Sequence, residues 1–372
     1  MHVKIHTLFQ YLLDTTEATP EAILGFSLSR SPTLGDFIDD LDPSLSLDWN
    51  GRSFRGLPEL RAHVIRQAGL TDCTPDDVLI TAGAAEANYL AILQTLQPGD
   101  QLITDTPGWP QAKVLADAIG AETVSVPRQE TDDWHLDPDA VAAAITPRTR
   151  MIFLTNPNNP TGRLIPDSDL RTLAALADRH GIWLLVDEVY AGLEWDGPRA
   201  PSIADMTPFG VTTGSVSKAL GLQGLRTGWM ICRDPKMTED AYVLRENSSE
   251  IMNIMGEVIA EIALRPDRLA AALATARAEG QANLAKLDTF VDATPGLSWV
   301  KPQGGLIGLA KLPDGIHSAD LARRLLAPPY RTFLLPGTAY DQPHHIRLGV
   351  GGGAEVMLDT GLSRLADLLE NW

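Results

Sequence analysis

Ser215-Val-Ser-Lys218-Ala-Leu-Gly221-Leu-Gln-Gly224-Leu-Arg226-Thr-Gly-Trp229 sets one lysine among hydroxyls, glycines and an arginine at fixed offsets. A lysine that condenses with a carbonyl compound needs an amine that loses its proton easily, which burial and a nearby cation both favour. If that compound carries a phosphate, donors must hold it beside the amine. Ser215, Ser217 and Arg226 supply such donors, the guanidinium matching two phosphate oxygens in a fork. Gly221 and Gly224 are expected to let the backbone bend closely around the ligand. Alone, the stretch also describes a solvated loop lysine, so the rest of the chain has to decide.

Short apolar runs alternate with stretches of helical periodicity through the middle of the chain, the pattern of a mainly parallel sheet covered by helices. The strand candidates are Val78–Thr81, Gln101–Thr104, Met151–Thr155, Ile182–Val186, Val211–Thr213 and Trp229–Cys232, with helices over Ala84–Leu96, Gln111–Ile119 and Ser168–His180. After Ile251 come long Ala- and Leu-rich helices, Gly256–Leu264 and Pro266–Thr289, then a strand-and-turn pattern from Trp299 onward. A chain of 372 residues exceeds the usual size of one core, so two units are expected.

In open parallel sheets ligands bind beyond the carboxyl ends of the strands. Gly83-Ala84-Ala85 opens a helix after a strand, so its free amides and positive dipole end can hold a phosphate; an ordinary strand-to-helix turn reads the same way. Asn156-Pro-Asn-Asn159-Pro-Thr-Gly162 closes the next strand and offers an amide donor. Asp187 ends a buried run and needs a partner to offset its desolvation, unless it is a helix N-cap. Tyr190 is a second donor or a packed ring, Trp109 a ligand-stacking indole or interface filler, and Arg347 a carboxylate fork or a solvated cation. His344 and His345 are adjacent on a strand and point to opposite faces, so no metal site is expected.

Read in order, Asn159-Pro-Thr-Gly162, Asp187-Glu-Val-Tyr190 and the Lys218 stretch resemble the aspartate aminotransferase superfamily, the fold-type I enzymes that use pyridoxal 5′-phosphate (PLP). The resemblance runs from about Gly56 to Gly349. It implies an α/β fold with a smaller α+β domain, residues 46–255 forming the large PLP-binding domain and 1–45 with 256–372 the small one. The implied activity is an aminotransferase passing an amino group between an amino acid and a 2-oxo acid, with Lys218, Asp187 and Tyr190 catalytic. Lys218 would form the Schiff base and shuttle a proton, Asp187 would pair with the ring nitrogen, and Asn159 and Tyr190 would reach the phenolic oxygen. Trp109 would cover the ring, and Gly83, Ala84, Ala85, Ser215, Ser217 and Arg226 would hold the phosphate. Arg347, with Asn159, would bind the substrate carboxylate. Active sites of the family lie between subunits, so a homodimer is implied.

The chain departs from the family pattern in two places. Asp48-Trp-Asn-Gly-Arg52-Ser-Phe54 lacks the tyrosine that a neighbouring subunit often supplies, with Arg52 as a candidate substitute. Ser27–Asp36 is somewhat similar to capreomycidine synthase-like members, which keeps PLP-dependent elimination or cyclisation as the alternative reaction. A PLP-sensing regulator is not expected, because the residues before the fold are too few and too acidic for a DNA-binding module.

A formal net charge of −18 argues against nucleic acid as partner. No apolar run approaches the roughly 20 residues of a membrane span, and Met1-His-Val-Lys-Ile-His lacks a signal-peptide pattern, so a cytoplasmic location is expected. Cys73 and Cys232 are read as buried, reduced thiols.

Overall fold

The structure is a computed structural model that describes residues 2–352 and 355–372. Helix α1 (Thr7–Asp14), strand β1 (Ala22–Ile23) and α2 (Pro58–Ala68) precede the alternating region. There, β2 (Val78–Thr81), α3 (Ala84–Thr95), β3 (Gln101–Thr106), α4 (Gln111–Ile119) and β4 (Glu122–Pro127) follow one another. Next come α5 (Pro138–Ala144), β5 (Thr149–Thr155), α6 (Asp167–His180), β6 (Trp183–Asp187), α7 (Ile203–Met206), β7 (Gly210–Ser215) and β8 (Gly228–Ile231).

These strands form one seven-stranded sheet in the order β2-β8-β7-β6-β5-β3-β4. Neighbours from β7 across to β4 are parallel, and only β8 runs against its two neighbours. Leu184, Leu185 and Val186 of β6 are at most 1% exposed, because helices cover both faces. That two-sided burial is why an unbroken apolar run marks this strand. The observed strand is shifted by one from the expected range and includes Asp187 itself. Strand β4 carried no such signal: it is the sheet edge, and its Glu122, Thr123 and Ser125 interrupt the apolar pattern.

The remainder holds α8 (Pro235–Arg245), α9 (Ile254–Ala263), the 28-residue α10 (Pro266–Ala293), β9 (Ser298–Trp299), β10 (Ile307–Lys311) and α11 (Ser318–Leu326). The short strands β11 (Thr332–Phe333) and β12 (Leu335–Pro336), then β13 (His345–Gly349) and α12 (Glu355–Glu370), complete the chain. β12, β13, β10 and β9 make a four-stranded antiparallel sheet. The N-terminal segment runs beside it: β1 pairs with β11, and the Gly349 amide donates to Leu24 O at 2.7 Å. A Cβ on Gly349 would lie 2.0 Å from Phe26 O, so the close approach requires glycine there. Farther on, Phe37 packs in another cluster, with Leu60, Val64 and Leu222.

Among the described residues no helix is long and apolar enough to cross a membrane. Both cysteines are free; Cys232 is buried, but Cys73 is only half-buried, its Sγ lying 3.8 Å from an Asp205 oxygen. His345 turns inward to Glu130 (3.4 Å) and His344 lies against Ile316 O (3.2 Å).

Candidate active site

The carboxyl ends of β2, β3, β5, β6 and β7 deliver Gly83, Trp109, Asn159, Asp187 and Ser215 to one edge of the large sheet. All but Gly83 line a cavity of about 350 Å³, together with Ala84, Ala85, Tyr190, Ser217, Lys218, Arg226 and Arg347. Gly83 caps α3 immediately behind Ala84. The cavity thus gathers side chains from positions 8 to 347, a set that includes every site residue implied by the resemblance except Gly83; the candidate substitute Arg52 does not line it.

Lys218 leaves β7 in a loop whose carbonyl accepts from the Ser29 amide (3.2 Å). Its Nζ donates to Ser27 Oγ at 3.3 Å and lies 5.7 Å from the centre of the Tyr190 ring. Burial lowers the amine's pKa to about 8, with Arg347 adding to the effect and Asp187 opposing it. Tyr190 Oη donates to the same Ser27 Oγ at 2.9 Å, and burial raises the phenol's pKa.

Asp187 is 6% exposed. Its Oδ2 accepts from Asn88 Nδ2 at 2.8 Å and its Oδ1 from the Val189 amide at 3.1 Å. Desolvation raises its pKa to about 6 against those two bonds and the charge of Lys218. Asn88 is held in turn by Thr213, whose hydroxyl donates to its Oδ1 at 2.7 Å. Sequence reasoning missed Asn88. The signal was a polar residue one turn after Ala84 on an otherwise apolar helix face, where it is fully buried.

Arg347 is buried on β13, where Nη2 donates to Gly25 O (2.6 Å) and Nη1 to Tyr340 Oη (2.7 Å) and Asn159 Oδ1 (3.2 Å). Its Nε is buried without a hydrogen-bond partner among the described residues. Tyr340 also donates to Asn159 Oδ1 at 3.1 Å, and burial raises the phenol's pKa to about 12. With that carbonyl oxygen occupied, the NH₂ end of Asn159 is the end left for a ligand. Tyr340 and Ser27 were likewise missed, Tyr340 because it lies in no motif and Ser27 because nothing marks it out from its neighbours in the 27–36 segment.

At the opening of α3 the Ala84 and Ala85 amides have no carbonyl a turn earlier to bond, which makes a site for an anion. Gly83 sits at φ 87°, and a Cβ there would be 2.6 Å from Arg226 Nη2. A Cβ on Gly228 would be 2.6 Å from the Ala84 nitrogen. These two glycines let the arginine and β8 close on the turn. Gly221 and Gly224 do something else: Gly221 (φ 66°) packs against Arg30 O, and nothing lies within 4 Å of a Cβ on Gly224. Arg226, exposed and left-handed (φ 51°), donates to Gln223 O and Ala82 O.

Trp109 Nε1 donates to Gln111 Oε1 at 3.4 Å, and its ring meets Phe9 edge-on at 5.9 Å. Its loop is tied to the Asn159 turn by buried Asp105, which pairs with Arg128 (2.8 Å) and accepts from Asn158 Nδ2 (3.0 Å). Arg52 donates to Asp48 O and Ser46 O in its own loop.

A family model described as aminotransferase class I and II matches residues 50–365. The chain belongs to that family. Its relatives include arginine–pyruvate transaminase AruH of Pseudomonas aeruginosa, 31% identical over 75% of this chain and 72% of the relative. The probable aspartate/prephenate aminotransferase of Thermus aquaticus is 29% identical over 85% and 82%. A solved PLP-dependent aminotransferase from Streptococcus suis superposes with a TM-score of 0.91 at 25% identity, over 100% of this chain and 99% of that one. The PLP-dependent cyclase OrfR shares the fold, with a TM-score of 0.88 at 24% identity over 100% and 98%.

The family's cofactor is PLP, and this aminotransferase is PLP-dependent. The residues present fit that group. A buried carboxylate suits a ring nitrogen, a lysine of lowered pKa suits an aldehyde, and the glycine-framed helix start suits a phosphate.

Proposed function

We propose that this aminotransferase moves an amino group between an α-amino acid and a 2-oxo acid, with Lys218 as the covalent attachment point and proton carrier. The observation that carries the reading is the convergence of Lys218, Asp187 and Arg347 on one cavity. Bound PLP supplies an aldehyde and a protonated ring that takes up the electron pair left when a bond at the substrate Cα breaks.

Asp187, once ionised, holds a positive charge at the ring nitrogen, and Asn88 and the Val189 amide fix the carboxylate's direction. Asn159 would donate to the phenolic oxygen through its NH₂ end, Tyr190 would do so by turning its hydroxyl from Ser27, and Trp109 would cover the ring. Ser215, Ser217, Arg226 and the Gly83-Ala84-Ala85 turn anchor the phosphate. Arg347 orients the substrate: its Nε–H and the Nη2 proton not given to Gly25 O would donate to the α-carboxylate, which places Cα toward Lys218. Lys218 Nζ, neutral in a sizeable fraction near pH 8, then takes the Cα proton and later releases it.

The enzyme is further proposed to work as a cytoplasmic homodimer with a large unit, 46–255, and a small one, 1–45 plus 256–372. Support comes from the separation of the seven-stranded and four-stranded sheets, the free thiols, and the exposure of Arg226, Leu47 and Trp49. The test is incubation of the PLP-loaded protein with single amino acids. Accumulation of pyridoxamine phosphate is expected; release of ammonia with the cofactor unchanged would replace transfer by elimination.

A further inference from the structure

The candidate cavity has a second kind of wall. Leu8 and Leu12 of α1, Phe26, Phe333 and Leu335 line it away from any charged group of their own. Phe26 and Phe333 meet edge-on with centroids 5.2 Å apart, and Leu8 and Phe333 belong to one buried cluster with Leu335. Leu12 and Phe26 remain 37% and 42% exposed while lining the cavity, so they offer apolar surface to whatever enters.

The neighbours of Phe26 place this surface relative to the chemistry. Gly25 O accepts from Arg347, and Ser27 Oγ accepts from Lys218 Nζ. A substrate with its carboxylate on Arg347 and its Cα toward Lys218 therefore has Phe26 beside the start of its side chain. The charged inventory points the same way. Among the described residues, the cationic side chains on the cavity wall are Lys218, Arg226 and Arg347, each already assigned to the attachment point, the phosphate turn or the α-carboxylate. Arg30 bonds Glu279 at 2.8 Å and Arg52 bonds carbonyls of its own loop, and neither lines the cavity. A second carboxylate entering here would lose its hydration without gaining a cation from this chain.

We infer that Leu8, Leu12, Phe26, Phe333 and Leu335 form the side-chain subsite, and that it selects amino acids with medium or large apolar side chains, aliphatic or aromatic, over acidic ones. The inference rests on the proposed transfer reaction for its orientation of the substrate. Its test separates the two, because it reads binding of carboxylates that have no amine to transfer.

Calorimetric titration of the PLP-loaded protein with 3-phenylpropanoate, 4-methylpentanoate and butanedioate gives the order directly. The two apolar carboxylates are expected to bind at least about tenfold more tightly than the dicarboxylate, since each methylene in a hydrophobic pocket contributes about tenfold or more. Phe26→Ala is expected to weaken 3-phenylpropanoate about tenfold while leaving propanoate within about twofold, and the PLP absorbance band verifies that the variant is loaded. Butanedioate binding as tightly as 3-phenylpropanoate overturns the apolar subsite even if amino transfer occurs. Apolar preference in binding, with no amino acid converting the cofactor, upholds the subsite and removes the transfer reaction instead.

Discussion

Burial moves the proton affinities of Lys218 and Asp187 toward each other, the amine down to about 8 and the acid up to about 6. The nucleophile is the neutral amine, whose fraction grows as pH rises through its pKa. Covalent attachment of PLP to the cofactor-free protein should accelerate up to about pH 8 and then level off, as followed by stopped-flow absorbance. Asp187 is neutral below about pH 6 and cannot then hold a cationic ring nitrogen, so equilibrium affinity for PLP should fall as pH drops through that value. Asn88 stabilises the ionised acid. Asn88→Leu removes that bond, so the fall in affinity should begin about one unit higher in pH, the size expected for one hydrogen bond to a charged group. If the profile does not move, Asn88 is only a packing residue. At the other end, Arg347→Lys loses the planar fork. It should raise the amino acid's KM about tenfold or more with a smaller change in kcat, measured in steady-state transfer. The convergence of Lys218, Asp187, Asn159 and Arg347 on one cavity was legible in the sequence through the family resemblance that the motifs carry. Ser27, Asn88 and Tyr340 were not, because they reach the cavity only through packing from distant segments.

Among the elements, the starts and ends of strands matter more than their interiors. β6 was readable as a strand because both faces are buried, and the same burial makes the carboxylate at its end chemically useful. β4 was not readable, since an edge strand needs no apolar run. The glycines divide in a way that spacing could not reveal. Gly221 and Gly224 stand in the lysine stretch, yet the close approaches to the helix start fall at Gly83 and Gly228. Gly83→Ala adds a Cβ that meets the Arg226 guanidinium at φ 87°. It should weaken PLP binding about tenfold or more while leaving the melting temperature of the cofactor-free protein within a few degrees, as read by fluorescence titration and thermal unfolding. Unchanged PLP affinity would mean that this turn does not hold the phosphate.

Over the whole molecule, the large sheet carries Asp187 and leads from β7 into the Lys218 loop, while β13 and the N-terminal segment carry Arg347 and its carbonyl partner Gly25. The alternating pattern disclosed most strands of the seven-stranded sheet, and the change of pattern after Ile251 marks where the long helices α9 and α10 begin. The path of residues 22–28 along β11 to β13 could not be read from a segment without periodicity, because long-range strand contacts and glycine approaches determine it. Lys218 is the amine proposed to hold the cofactor, and every other assigned role is placed relative to it. Borohydride reduction of the PLP-loaded protein, followed by peptide mass spectrometry, tests this directly. A phosphopyridoxyl group on Lys218, and none bound covalently in Lys218→Ala, is the predicted result; the label on another lysine, or its persistence in that variant, would contradict it.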